Sequence, residues 1–339
     1  MATGRNVITV GNFDGVHLGH RALIERAREV ADREGAGVIA AAFDPHPASV
    51  LAPGREPPRL TSFARREALL LEAGADRVVK LEPTPDLLSL EPEAFVRLMM
   101  QTYGAVSFVE GPDFHFGRRR AGNIEVLRRL GSQLGFGVEV VEPVEAALGD
   151  CTLVRASSTI VRWLVAHGRV VDAAVVLGWP YEVEGEVVTG DRRGREIGYP
   201  TANISTPCLL PADGVYAGRA VLPGGRDVPA AVSVGTNPHF RGDRRRIEAH
   251  LLGVERDGDK IAGLPEYGWP IRLSLLGFVR DQAVFGSLEE LLGQMERDCG
   301  RCLVMAEEGL PAGLCGCAHG ASDSAPGEAP AMKGSVRDE

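Results

Sequence analysis

GNFDGVHLGH, residues 11–20, decides how the first half of the chain is read. It follows NVITVG (6–11), a near-continuous apolar run of strand length. It leads into LGHRALIERAREVADREG, where Leu23, Ala27, Val30 and Ala31 recur at helical spacing. At such a handover the first helical N–H groups have no intrahelical acceptor and the helix dipole favours negative charge, so phosphate is the expected occupant. Gly11, Gly15 and Gly19 let the backbone approach a ligand closely, and Asn12, Phe13 and Asp14 lie inside the same turn. His17 and His20 are three apart, share a helical face, and are expected as positive donors to phosphate oxygens.

Outward from this turn, strand-length apolar runs alternate with helical patterns. GVIAAAF (37–43), DRVVKLE (76–82), AVSFVEG (105–111) and FGVEVVE (136–142) read as buried parallel strands. FARREALLLEAG, PEAFVRLMMQTYG and NIEVLRRLGSQLG read as the helices between them. The alternation predicts a doubly wound α/β sheet, with ligands beyond the carboxyl ends of its strands. Three further strings fall at that rim: FDPHP (43–47), GPDFHFG (111–117) and SSTIVR (157–162). Ser157, Ser158 and Thr159 offer hydroxyls and helix N-terminal N–H groups to phosphates, with Arg162 one turn on. Ser157 is equally well explained as an ordinary N-cap.

One helical stretch is expected from Ser157 to about Leu177. After Trp179-Pro180 the texture changes to five or six short strands with Gly/Pro turns, then a closing helix, SLEELLGQMERDCGRCLVMA. A small antiparallel β-barrel is expected. The expected division is 1–180, 181–306 and a disordered tail, 307–339, without periodicity or bulky apolar residues.

VVTGDRRGREIGYPTANI (187–204) carries Gly190, Gly194 and Gly198 with Arg195, a loop that can fold over a polyphosphate. Thr201 and Asn203 are two apart, so on a strand they face the same way and can present two oxygens to one Mg²⁺. Glu248, alternating with apolar positions, can accept a proton from a substrate hydroxyl.

Composition limits the alternatives. There are 37 Lys and Arg against 46 Asp and Glu, a net charge of −9, so a general nucleic-acid binder is not expected. No signal peptide or long apolar segment stands out, which predicts a cytoplasmic protein without a membrane partner. Six scattered cysteines suggest reduced thiols. Cys299 and Cys302 with Cys315, Cys317 and His319 have spacing compatible with zinc, although the second group sits in the tail.

The decapeptide resembles the signature of the nucleotidyltransferase superfamily and matches its flavin branch; HLGH is also similar to the ATP signature of class I aminoacyl-tRNA synthetases. Those enzymes carry a lysine-rich second loop, where this chain has RASSTIVR. In the second half, the PTAN string, LPADGVYAG (210–218), VSVGTNPHF (232–240) and IEAHLL (247–252) resemble the riboflavin kinase family. Together the halves resemble the bifunctional bacterial riboflavin kinase/FAD synthetases. The resemblance implies that the barrel phosphorylates riboflavin to FMN with ATP and Mg²⁺. It also implies that the α/β half transfers an adenylyl group from a second ATP to FMN, giving FAD. It implies ATP at Gly11 to Gly15, His17, Gly19, His20 and Ser157 to Thr159 with Arg162, flavin near Asp44, Pro45, His46 and Asp113, metal on Thr201 and Asn203, and Glu248 as base. Gly253, His239 and LPEYGWP (264–270) depart from the family pattern. A chain active only in adenylyl transfer, or a non-catalytic flavin or nucleotide sensor, are the alternatives.

Overall fold

The computed structural model describes residues 4–190, 192–236, 245–257 and 260–310, apart from the Arg193 side chain. His239 and residues 315–319 of the possible zinc cluster lie outside the described residues. So does nearly all of the expected tail.

Five parallel strands organise the first half: β1 (Asn6–Gly11), β2 (Gly37–Phe43), β3 (Arg77–Leu81), β4 (Ala105–Glu110) and β5 (Gly137–Val140), in the order β3-β2-β1-β4-β5. The connecting helices are α1 (Leu18–Glu34), α2 (Ala48–Leu51), α3 (Phe63–Glu72), α4 (Pro85–Leu88), α5 (Pro92–Tyr103) and α6 (Ile124–Leu134). Alternation along β1 sends Val7 to a core shared with α1 and α3, and Ile8 to a second core shared with α5 and α6. Both faces of the sheet are covered, which is why its strands read as unbroken apolar runs.

Strand order reverses between β1 and β4. The β1–β2 ladder continues to Gly11↔Ala42, but the β1–β4 register ends at Ile8↔Phe108. The two strands part at their carboxyl ends, where an open α/β sheet forms its binding crevice. Val10 N, beyond the end of that ladder, donates instead to the buried Glu110 carboxyl at 2.8 Å.

A hairpin of β6 (Glu145–Ala147) and β7 (Leu153–Arg155) precedes two helices, α7 (Ser158–Ala166) and α8 (Val170–Leu177), where one was expected. The break is at Gly168, whose φ of +72° is left-handed and whose Cβ, if present, would meet the Tyr216 hydroxyl at 2.9 Å. The turn packs against the second half.

That second half contains β8 (Tyr181–Val188), the short α9 (Arg193–Glu196), β9 (Ala202–Ser205), β10 (Gly214–Val221), β11 (Asp227–Gly235) and β12 (Arg246–Leu251). A small ribbon of β13 (Arg256–Asp257) and β14 (Lys260–Ile261) follows, then β15 (Pro270–Arg280) and α10 (Leu288–Glu308). Six strands close an antiparallel barrel in the order β10-β11-β12-β9-β8-β15. Val228, Ala230, Val232 and Val234 of β11 fill its interior. Helix α10 extends to Glu308, two residues into the expected tail. Its Cys302 is buried, with Sγ 3.7 Å from Tyr216 O.

The core does not stop at the junction, since Val165, Leu177, Trp179, Tyr181 and Tyr216 belong to one buried cluster spanning both halves. No helix among the described residues is long and apolar enough to cross a membrane.

Candidate active sites

The first centre forms where β1 meets α1. His17 is the N-cap of α1, with extended backbone and no side-chain cap bond. Its ring stacks on His20 with centroids 3.7 Å apart, and His20 meets Phe13 edge-on. Gly19 makes this possible: a Cβ there would lie 3.2 Å from the His17 ring. The Nδ1 atoms of both histidines are buried and have no partner among the described residues. Burial, and then the Arg162 charge, lower the His17 pKa to about 3. Burial, His17, Arg66 and Arg162 push His20 well below the ordinary histidine value. The expectation of two positive donors is therefore corrected: in the ligand-free fold both imidazoles are neutral, and each offers one N–H. A polyphosphate entering the site would bring the negative charge that raises both pKa values.

The turn from β1 into α1 is strained. Phe13 has φ +50° and Val16 has φ +37°, a costly conformation for a β-branched residue. Asp14 holds it in place. Its buried carboxylate accepts from the N–H groups of Leu60 and Thr61, the Thr61 hydroxyl and the Arg162 guanidinium, the last at 2.6 Å. Asp14 thus faces protein, and its service to a ligand is to place Arg162. Ser158 Oγ donates to Asp14 O at 2.8 Å, while Ser157 caps α7 by accepting from Ile160 N. Thr159 is exposed in the first turn of the same helix.

FDPHP meets this turn from β2. His46 Nδ1 accepts from Ala48 N, so neutral His46 carries its proton on Nε2. That nitrogen lies 3.1 Å from Asn12 Nδ2, and since two N–H donors cannot pair, this contact requires the Asn12 amide to be turned over, with its oxygen toward His46. Asp44 follows the end of β2, joined to Pro45 by a cis peptide bond. Burial would raise the Asp44 pKa, but the Lys80 hydrogen bond and the charges of Arg59, Arg66 and Lys80 hold it below the usual carboxylate value. Its oxygens lie 2.7 Å from Lys80 Nζ and 3.0 Å from Arg66. Asp113 is different: its side chain is 73% exposed and pairs with Arg155 at 2.6 Å.

Sequence reasoning missed Arg66. This buried residue donates to Asn12 O, Phe43 O and Asp44, tying the ends of β1 and β2 together. A signal existed, because Arg66 shares the helical stripe of Phe63 and Leu70 on α3, where a cation is out of place unless it is paired. Glu110 was also missed. Burial lifts its carboxyl well above the ordinary range, against the Val10 N–H that favours the charged form.

The second centre is a cavity of about 220 Å³ between the barrel mouth and α10. Thr201, Asn203, Glu248 and Gly194 all line it. Register explains the convergence, since Glu248 on β12 stands directly opposite Asn203 on β9. Thr201 Oγ1 donates to Glu248 Oε2 at 3.0 Å. The Asn203 Oδ1 is buried without a partner among the described residues, and a Cβ on Gly190 would lie only 2.0 Å from Asn203 Nδ2. An orphaned amide oxygen beside a hydroxyl and a carboxylate is a hard-oxygen donor set that fits Mg²⁺.

Arg195 is not turned loose on this cavity. Its guanidinium lies 2.8 Å from Glu266 and 3.2 Å from the Tyr267 hydroxyl, so the unusual LPEYGWP segment holds the 190–200 loop. Gly198 supplies a turn at φ +83°. His250, two residues beyond Glu248 on the same face, also lines the cavity and donates from Nδ1 to Pro200 O at 2.9 Å.

A parallel sheet with a Gly/His strand-to-helix turn, followed by a closed barrel with a Thr/Asn/Glu cavity, defines a transferase with two separate nucleotide-handling centres. Residues 1–152 match the FAD synthetase family and residues 177–305 match the riboflavin kinase family. The bifunctional riboflavin kinase/FMN adenylyltransferase of Escherichia coli (strain K12) is 34% identical over 294 residues, 86% of this chain and 90% of that protein. The protein of the same name from Listeria monocytogenes is 32% identical over 296 residues, with the same coverage. A crystal structure described as a macrolide-efflux protein from Streptococcus pneumoniae superposes with a TM-score of 0.75 at 29% identity, covering 88% of this chain and 93% of that one. The chain belongs to the family of bifunctional riboflavin kinase/FMN adenylyltransferases.

Proposed function

We infer that this chain makes FAD from riboflavin in two ATP-dependent steps, riboflavin kinase activity in the barrel and FMN adenylyltransferase activity in the α/β half. The carrying observation is that one chain of this family holds two separate, chemically complete constellations. In the barrel, Glu248 takes the proton of the riboflavin 5′-hydroxyl as that oxygen attacks the γ-phosphorus of ATP, and ADP leaves. Thr201 and Asn203 would hold Mg²⁺, which when bound supplies charge neutralisation to the phosphates. Thr201 also donates to Glu248 and so orients the base.

In the α/β half, a phosphate oxygen of FMN attacks the α-phosphorus of ATP. The bond from that phosphorus to the β-phosphate bridge breaks, and pyrophosphate leaves. His17, His20 and the first N–H groups of α1 donate to the phosphate oxygens, while Arg162 supplies fixed positive charge. Neutral imidazoles suit this role before ATP arrives, because a buried pair of cations would repel each other. Ser157 to Thr159 contribute the amide end of α7, and Asp44 to His46 form the neighbouring wall toward the flavin.

The proposed division is 1–180 for adenylyl transfer and 181–306 for the kinase, with small-molecule substrates only and a cytoplasmic location. Incubation of purified protein with riboflavin, ATP and Mg²⁺, with both products resolved by chromatography, tests the assignment. Failure to form FMN and FAD would sink it; FAD from supplied FMN but not from riboflavin would restrict it to the first half.

A further inference from the structure

Residues 58–66 run between the two halves and grip both. On one side, Leu60 N and Thr61 N donate to the Asp14 carboxylate at 3.0 Å, and the Thr61 hydroxyl both donates to Asp14 and accepts from Gly15 N at 3.1 Å. Pro58 O accepts from Arg162 Nε at 2.7 Å. On the other side, the Arg59 backbone forms an isolated parallel β-bridge with Cys208, and Leu209 N donates to Arg59 O at 2.7 Å. The Ser62 hydroxyl donates to the Glu184 carboxylate. Arg65 Nε donates to Glu182 Oε2 at 2.7 Å, with its guanidinium 5.3 Å from the centre of the Trp179 ring.

Glu182 and Glu184 alternate along β8 with Tyr181 and Val183, which fill the barrel core, so both carboxylates leave the barrel on its outer face. The Arg65–Glu182 pair is 14% and 8% exposed, and salt screens it little. Ser62 is also the N-cap of α3, the helix that carries Arg66 to Asn12 and Asp44. The barrel therefore holds the start of the helix that ties the rim of the other half.

We propose that Glu182 and Glu184, both in the barrel, are positioning residues for the His17–His20 centre: through Arg65 and Ser62 they hold residues 58–66, which seat Asp14 and with it Arg162 and the strained turn. The inference rests on the assignment of adenylyl transfer to that centre. Physical coupling between sites requires an element that both contact, and this segment is one. On that assignment Arg162 meets the ATP phosphates in the ground state, so its displacement acts on ATP affinity first.

The test uses the full chain as wild type, Glu182→Ala, Glu182→Gln, Arg65→Ala and the Glu182→Ala/Arg65→Ala double variant. FAD formation from FMN is measured with kcat and the KM for ATP kept apart, alongside FMN formation from riboflavin and the thermal midpoint. Glu182→Ala raises the KM for ATP in adenylyl transfer roughly fivefold, with FMN formation unchanged within about twofold. Glu182→Gln, which keeps an oxygen for Arg65, recovers part of the loss. The double variant is no worse than Arg65→Ala. Should Glu182→Ala fail to fold, Glu184→Gln shifts the same KM in the same direction. A folded Glu182→Ala or Glu184→Gln with wild-type adenylyl KM overturns the inference, as does equal loss of both activities or additivity in the double variant. Wild-type protein that makes no FAD from FMN overturns the underlying assignment instead, and the inference falls with it.

Discussion

Gly190→Ala is a one-carbon change that separates the two activities. The new Cβ would stand 2.0 Å from Nδ2, 2.4 Å from Cγ and 2.8 Å from Oδ1 of Asn203. Ordinary contact begins near 3.4 Å, so the Asn203 amide must retreat by about 1.4 Å or rotate away. Asn203 is the side chain whose buried oxygen fits the metal, and it sits opposite Glu248. Displacement of a positioning group by about 1 Å costs on the order of 100-fold in rate. Riboflavin phosphorylation should fall by that order, while overpacking at this partly exposed loop destabilises the chain by about 1–2 kcal/mol. Adenylyl transfer to supplied FMN should continue at the wild-type rate, because the three nearest atoms to the new Cβ all belong to Asn203 in the barrel. A coupled assay following FMN and FAD separately, with thermal melting to confirm folding, reads all three quantities. Wild-type FMN formation, or loss of both activities together, would refute the link from this glycine through Asn203 to the kinase.

Other variants report on the remaining centres. His20→Ala should abolish FAD formation from FMN and spare FMN formation, whereas Glu248→Ala should do the reverse; equal loss of both activities in either variant argues against separate sites. Asp14→Asn breaks the buried pair with Arg162 and removes an acceptor from residues 60–61, costing about 3 kcal/mol of stability by urea unfolding. A cost below about 1 kcal/mol would mean that Asp14 does not anchor the turn. The depressed histidine pKa values give a pH dependence of defined sign. Below the unfolded value of 6.5 the unfolded chain takes up a proton at His17 that the native state refuses until about 3. That contribution to stability is therefore full above pH 6.5 and lost as the pH falls, at about 1.4 kcal/mol per pH unit. Urea titrations at pH 7 and pH 5 should show His17→Gln losing less stability on acidification than wild type, and identical losses would show that His17 is not buried neutral.

Much of this protein is local in its chemistry and hence legible along the chain. The runs at 6–11 and 37–43 coincide with β1 and β2 because strands covered on both faces need apolar residues at every position. The glycines, histidines and serines of the two candidate phosphate motifs stand at the beginnings of α1 and α7, where capping and unpaired N–H groups are set within a few residues. The Thr201, Asn203 and Glu248 set was also recoverable, because strand alternation places Thr201 and Asn203 on one face. That Glu248 lies opposite depended on barrel closure. Less accessible was the break at Gly168: its left-handed cap is local, with Arg169 N donating to Leu164 O at 2.9 Å, but its close approach to the Tyr216 hydroxyl lies across the junction.

By itself, the sequence determined the two architectures and their order, and it placed the candidate phosphate-binding residues at helix starts and loop turns, since periodicity and turn motifs act over short range. Only the tertiary structure decided the state in which those residues are held. His17 and His20 are neutral because burial removes the water that would stabilise their charge. Asp14 and Asp44 are held as anchors because cations from residues 59, 66, 80 and 162 converge on them. Arg195 is taken up by Glu266, and Ser62 and Arg65 by the barrel. Each of these pairings joins residues far apart in the chain. Burial and charge pairing at that separation follow from three-dimensional packing, which no local pattern encodes.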